Sequence, residues 1–317
     1  MARADIDWGN LGFTYRALPE RYVSNYADGA WDAGGLTSDA RVALSECAGI
    51  LHYCQEVFEG LKAYETVDGH IVTFRPDLNA ARMYASAAYL EMPSFPEERF
   101  IEAVDAVVTA NRDYVPPYGS DASLYLRPLI FATGEVIGVK PADAYQFRLF
   151  ATPVGPYFKG GAKPVRICVS DFDRAAPHGT GHIKAGLNYA MSLHAYMTAK
   201  AAGFDENMFL DAATRTYVEE TGGANFLFVT KDGTVVKVGF DPAVNHAPFS
   251  RLYRRTHPRY EGGGASHRVR GASGVCRVRP VRNRCGDLTR RLSDAQGRGD
   301  RIPERHGAHG TCPAEAL

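Results

Sequence analysis

Lys184 stands in Gly179-Thr-Gly-His-Ile-Lys-Ala-Gly-Leu-Asn-Tyr189, a glycine-rich approach to a run with helical spacing. A lysine amine attacks a carbonyl only when its ammonium form is disfavoured, which partial burial or neighbouring positive charge brings about. Taken alone, such a lysine is more often a solvated surface group. Two other readings of the stretch are disfavoured. His178 and His182 are four apart, but Pro177, Gly179 and Gly181 break the helix that would align them, and no carboxylate or cysteine completes a metal site. The Gly-x-Gly-x-x-Lys run also lacks the spacing of a phosphate-binding P-loop. Downstream, Glu220-Thr-Gly-Gly-Ala-Asn225 sets a carboxylate before a second glycine turn. Read together, the two segments offer an amine and a carboxylate, each beside a glycine-rich turn.

The elements that must position these groups alternate between α and β patterns as far as Val238. Residues 61–67 and 70–74 flank Asp68-Gly69, read as a two-residue hairpin turn. A helix is expected from Asp77 to about Leu90, burying Leu78, Ala81, Ala85 and Tyr89. Another follows Pro96, with Phe100, Val104, Val107 and Val108 on its inner face. Extended runs cover 123–131, 145–154 and 165–170, and the turn formers between the last two mark an interdomain connection. A helix over 188–202 ends at Gly203, a C-terminal cap. Strands are expected at 207–210, 216–219, 225–230 and 234–238.

The length of 317 residues implies two domains. The division read from the sequence is a small N-terminal α/β domain over 1–155, a second α/β domain over 156–238, and a segment of different character over 239–317. The overall charge of zero hides an asymmetry: residues 1–238 carry 21 basic against 29 acidic side chains, and 239–317 carry 15 against 7, all fifteen being arginine. That segment holds one isoleucine and four aromatics, too little apolar surface to offset its ordering entropy, so disorder is expected there. Its arginines form an electrostatic footprint for nucleic acid, but only Tyr253 and Tyr260 interleave with them, so there is little stacking platform. The N-terminus has no basic region followed by an apolar run, and no stretch reaches membrane-spanning length, so a cytoplasmic address without membrane association is expected. The six cysteines form no CxxC pair, which reads as reduced thiols.

Ile183-Lys-Ala-Gly-Leu-Asn-Tyr189 and Glu220 to Asn225 resemble the paired signatures of the class IV, fold-type IV aminotransferases. Phe58-Glu-Gly-Leu-Lys-Ala-Tyr64, Phe74-Arg-Pro-Asp-Leu-Asn-Ala-Ala-Arg-Met83 and Leu124-Tyr-Leu-Arg-Pro128 narrow the resemblance to the branched-chain amino acid aminotransferases. It runs from about Tyr15 to Val238. It implies an α/β (α+β) protein of two domains, a homodimer, and pyridoxal 5'-phosphate as cofactor, with leucine, isoleucine or valine and 2-oxoglutarate as substrates. By the same resemblance, Lys184 forms the Schiff base and moves the proton. Tyr189 bonds the phenolic oxygen, Glu220 keeps the pyridine nitrogen protonated, and Arg82 grips the phosphate with its planar fork. Tyr125 and Arg127 meet the substrate carboxylate, and Tyr53, Phe58 and Tyr157 wall the side-chain pocket.

Beyond Val238 the resemblance stops. The family continues with a Thr-Pro turn, a helix opened by Leu-Pro-Gly and a Gly-Thr-Ala turn, which serve the phosphate, and 239–317 has no counterpart of them. Two lost bonds to a charged phosphate correspond to roughly 10² to 10⁴ in cofactor affinity. The second domain is therefore read as truncated, and an inactive remnant stands as an alternative, beside a D-amino acid aminotransferase or aminodeoxychorismate lyase sharing Lys184 and Glu220. An arginine-, glycine- and proline-rich stretch without lysine is what a GC-rich gene yields out of frame. Resequencing is expected to show a frame change near codon 239, and an uninterrupted in-frame read in the source genome would remove that explanation.

Overall fold

The computed structural model describes residues 3–156, 164–216 and 218–224, together with the backbone of 227–229 and 235–237. In chain order the elements are β1 (Arg21–Ala27), β2 (Ala30–Trp31), β3 (Gly35–Thr37), α1 (Gly49–Tyr53), β4 (Glu56–Phe58), β5 (Leu61–Glu65), β6 (Ile71–Thr73), α2 (Pro76–Tyr89), α3 (Glu97–Ala110), β7 (Ser123–Ala132), β8 (Tyr145–Val154), β9 (Ile167–Val169), α4 (Gly186–Ala201), β10 (Glu206–Leu210), β11 (Val218–Thr221), β12 (Leu227–Val229) and β13 (Val235–Lys237). They fall into two compact units. Of the described residues, one comprises 3–156 with 183–187, and the other comprises 164–182 with those from Asn188 onward. The expectation for 239–317 lies outside the described residues.

The first unit is an eight-stranded antiparallel sheet in the order β2-β1-β8-β7-β5-β6, with β3 beside β1 and β4 beside β7. Its centre is the pair β7 and β8, matched without interruption from Ser123↔Val154 to Ala132↔Tyr145. Alternate residues of these strands, including Leu124, Leu126, Ile130, Phe147 and Leu149, are buried against α2 and α3. Phe147 stacks on Phe95 with ring centroids 3.9 Å apart, and Trp31 meets Phe95 edge-on at 5.1 Å. Helix α3 buries Phe100, Val104, Val107 and Val108, as its spacing demands.

Two local expectations are corrected. Helix α2 buries Asn79, Ala80, Met83, Ser86 and Ala87, leaving Tyr89 exposed, so the face read through Leu78, Ala81, Ala85 and Tyr89 is not the inner one. The reason is polar: the buried carboxylate of Glu59 accepts from Asn79 and Arg82 and sets the helix's rotation. At Asp68-Gly69 the pairing of β5 with β6 ends at Glu65↔Ile71, so the loop spans 66–70. Thr66 N–H donates to the His70 carbonyl at 2.8 Å, and the Thr66 hydroxyl accepts from His70 N–H at 3.0 Å. A two-residue turn is found instead at Asp28-Gly29, between Ala27 and Ala30, with φ of 52° and 84°. Positive φ at both central residues is the geometry that matches the twist of a tight hairpin.

In the second unit β9 and β10 run parallel, and β11 adds antiparallel to β10. Helix α4 makes the connection from β9 to β10. It ends in a Schellman motif: Phe204 N–H bonds the Ala199 carbonyl at 3.0 Å, Gly203 N–H bonds the Lys200 carbonyl at 2.9 Å, and Gly203 takes φ +81°. Phe204 and Ala199 pack together with Cys168. β12 and β13 pair as an antiparallel hairpin. Cys47 and Cys54 are free thiols, whereas Cys168 is disulfide-bonded, correcting the expectation of reduced thiols throughout.

Candidate active site

The lysine-bearing segment adds to the edge of β4. Phe58 N–H donates to the Lys184 carbonyl at 3.1 Å, and Val57 and Ala185 form an antiparallel bridge. Ser86, on α2, accepts from Lys184 N–H at 3.1 Å. Ile183 and Ala185 point into the core at 2% and 0% exposure, and Lys184 between them turns to the other face, half-buried. There its ammonium lies 4.4 Å from the centroid of the Phe58 ring. An extended backbone in place of a helix thus explains why the glycines and Ile183 precede the lysine: burying both of its neighbours fixes the side it faces.

The same ring receives a second cation. The Arg127 guanidinium sits 4.8 Å from the Phe58 centroid and 5.3 Å from that of Tyr125, and donates to the Tyr125 hydroxyl at 3.1 Å. Tyr125 and Arg127 are two apart on β7, so both side chains share one face of the sheet. A Cβ at residue 60 would collide with the Tyr125 hydroxyl, which is why glycine stands there. The buried Nε of Arg127 has no hydrogen-bond acceptor among the described residues.

Arg82, on α2, forks onto Glu59, with Nε and Nη2 donating at 2.5 and 2.7 Å. The two side chains are 10% and 0% exposed. Glu59 also accepts from Asn79 at 2.7 Å. Tyr53 closes α1 and gives its hydroxyl proton to the carbonyl of Ile137. Tyr157 lies outside the described residues.

The second unit carries Tyr189 and Glu220, and one guanidinium joins them. Arg174 is 1% exposed; its Nε is 3.0 Å from Glu220 Oε1, its Nη1 donates to the Asn188 carbonyl at 2.7 Å, and its charge lies 5.2 Å from the centre of the Tyr189 ring. Glu220 is itself 3% exposed on β11, whose four described residues are all buried. Asn188 also exchanges two bonds of 2.7 Å with Thr180, tying the glycine-rich approach to the start of α4. Glu59, Ser86 and Arg174 escaped the sequence reading. Glu59 lay inside a recognised motif, but Ser86 and Arg174 carry no local signal, because their partners are distant along the chain.

Against known proteins, residues 56–241 match the family model of amino-transferase class IV. The chain belongs to the class IV aminotransferases. Within that family it is 47% identical over 237 residues to a branched-chain-amino-acid aminotransferase of Haemophilus influenzae, covering 73% of this chain and 69% of that one. A Helicobacter pylori protein of the same name is 45% identical over 234 residues, with the same coverage. The branched-chain amino acid aminotransferase of Escherichia coli superposes with a TM-score of 0.61 at 28% identity, over 74% of this chain and 73% of that one. The T.th. branched-chain amino acid aminotransferase with pyridoxamine 5'-phosphate gives 0.57 at 29% identity, over 73% and 72%. The fold is therefore the mixed α/β fold-type IV that the motifs implied, and the chain is a branched-chain member of this class IV family.

A buried ion pair that loses one partner leaves an uncompensated charge. Glu59→Ala is expected to destabilise the first unit by about 3–5 kcal/mol, read as a lower urea midpoint, with Arg82 stranded. Replacing both partners by apolar residues of similar volume is expected to recover most of that loss.

Proposed function

We propose that this chain transaminates branched-chain amino acids, passing the amino group of leucine, isoleucine or valine to 2-oxoglutarate, with pyridoxal 5'-phosphate held on Lys184. The observation that carries the reading is the convergence of Lys184 and Arg127 on the Phe58 ring, in a chain 47% identical to a branched-chain enzyme. An amine for covalent attachment, a cation for a carboxylate and an apolar wall for a side chain are the three requirements of an amino acid substrate.

The residues present fit the cofactor. A buried carboxylate at Glu220, oriented by Arg174 beside Tyr189, suits a protonated ring nitrogen and a neighbouring phenolic oxygen. Bound pyridoxal phosphate supplies the electron sink that lets the substrate Cα–H bond break. Lys184 Nζ would hold the cofactor, and its amine would serve as the base that takes the proton from the substrate Cα. Arg127, stacked between aromatic rings and with an Nε free of protein acceptors among the described residues, meets a substrate carboxylate together with the Tyr125 hydroxyl. Phe58 excludes water from that corner and contributes apolar surface to the branched side chain, with Tyr53 and Tyr157 assigned to the same wall. Glu59 orients the guanidinium of Arg82 for the phosphate. A domain division at 155/156, read from the turn formers that follow, a homodimer, which rests on the resemblance, and a cytoplasmic address complete the proposal. Among the described residues no helix is long and apolar enough to cross a membrane.

Full-length protein with added pyridoxal phosphate is expected to form glutamate from leucine and 2-oxoglutarate, and Lys184→Ala to reduce the rate at least about a hundredfold. Glutamate formation from D-alanine alone would favour the D-amino acid reading. A protein that binds no cofactor and turns over neither substrate would identify an inactive remnant.

A further inference from the structure

Glu56 is a carboxylate beside the lysine that the proposed chemistry does not use. It opens β4 two residues before Phe58, so both side chains stand on one face of the strand. That is the face on which the Lys184 ammonium and the Arg127 guanidinium gather, and both cations act on Glu56 electrostatically. Glu56 Oε2 also accepts the N–H of Gly186 at 2.9 Å.

Gly186 is the first residue of α4, whose opening N–H groups have no partner within the helix. Glu56 therefore supplies, from another element, the acceptor and negative charge that a capping side chain would give. The fit is close: a Cβ on residue 186 would collide with that oxygen and displace the Glu56 carboxylate from the amide. We propose that Glu56 is a positioning residue for Lys184, fixing the backbone just after it through Gly186 and setting the charge balance at its amine.

Burial pushes the Glu56 carboxyl above its ordinary range, while the Gly186 N–H, Arg127 and Lys184 pull it back. The groups facing it are thus an amide from α4, a guanidinium from β7 and an ammonium from 183–187. A charged Glu56 favours the ammonium of Lys184, and its loss favours the amine. The functional weight of this inference rests on Lys184 being the cofactor lysine, but the test is read without cofactor.

The full chain, free of cofactor, is labelled competitively with acetic anhydride across a pH series, and each lysine is followed by peptide mass spectrometry. Glu56→Gln keeps an oxygen for Gly186 and removes the charge. Lys184 is then expected to react about three- to tenfold faster at neutral pH, with Lys62 and Lys140 unchanged. Glu56→Ala is expected to add faster hydrogen exchange at the Gly186 amide. An unchanged Lys184 profile in Glu56→Gln overturns the proposal. If Lys62 changes as well, Glu56→Asp, which retains the charge, must return Lys184 to the native profile, and failure to do so also overturns it. Capture of pyridoxal phosphate by the unmodified chain is scored separately, so failure here leaves the reading of Lys184 standing, and the converse holds.

Discussion

The side chain proposed to carry the cofactor can face one direction only if the backbone beneath it is held, and here that restraint is a short stretch of sheet. Residues 183–187 lie along β4, joined by the Phe58 amide, the Val57–Ala185 bridge and the Gly186 amide on Glu56. β4 is in turn fixed to β7 by Glu56↔Phe131, Val57↔Ile130 and Phe58↔Leu129. The lysine is thereby tied to the central strand pair, and β7 delivers Arg127 to the same aromatic ring, with the Tyr125 ring on the guanidinium as well. Moving the register of 183–187 by one residue would send Lys184 into the core and Ile183 out of it. That alternation is what the other features protect.

The charged groups of both units follow a common rule, that a buried charge needs a partner already in place. Glu59 with Arg82, and Glu220 with Arg174, are pairs of this kind, each made of side chains nearly or wholly removed from water. In the proposed function these pairs serve orientation. A carboxylate or guanidinium held by a buried partner presents its remaining lone pairs or N–H groups in one direction, and a cofactor with a cationic nitrogen and an anionic phosphate requires such fixed groups. Arg127 is held differently, by aromatic faces, which leave donors for a carboxylate to meet.

How much of this was legible in the sequence depended on how local the cause was. β7 and β8 were readable because both are long and nearly buried throughout, and the end of α4 was readable because Gly203 and Phe204 carry the capping motif within one turn. The inner face of α2 was misread because Leu78, Ala81, Ala85 and Tyr89 are only weakly apolar as a set, and the partner that rotates the helix, Glu59, lies in another element. The 68–69 turn was misread because an Asp-Gly pair signals a tight hairpin, whereas the Thr66 hydroxyl captures the His70 amide and widens the loop. Strands β1 to β3 were not read at all, since their short, mixed faces lack a clean period and take their order from β8. Lys184, Glu220 and Arg127 could be proposed from motifs. Ser86, Arg174 and Glu56 could not, because each acts on a residue far along the chain.

The most direct test of the central claim is the identity of the lysine that takes the cofactor. Full-length protein mixed with pyridoxal phosphate, reduced with borohydride and digested, should carry the phosphopyridoxyl mass on the peptide containing Lys184, with Lys62, Lys140 and Lys200 unlabelled. Label on any of those lysines in preference to Lys184, from protein that retains its fold, would contradict the account.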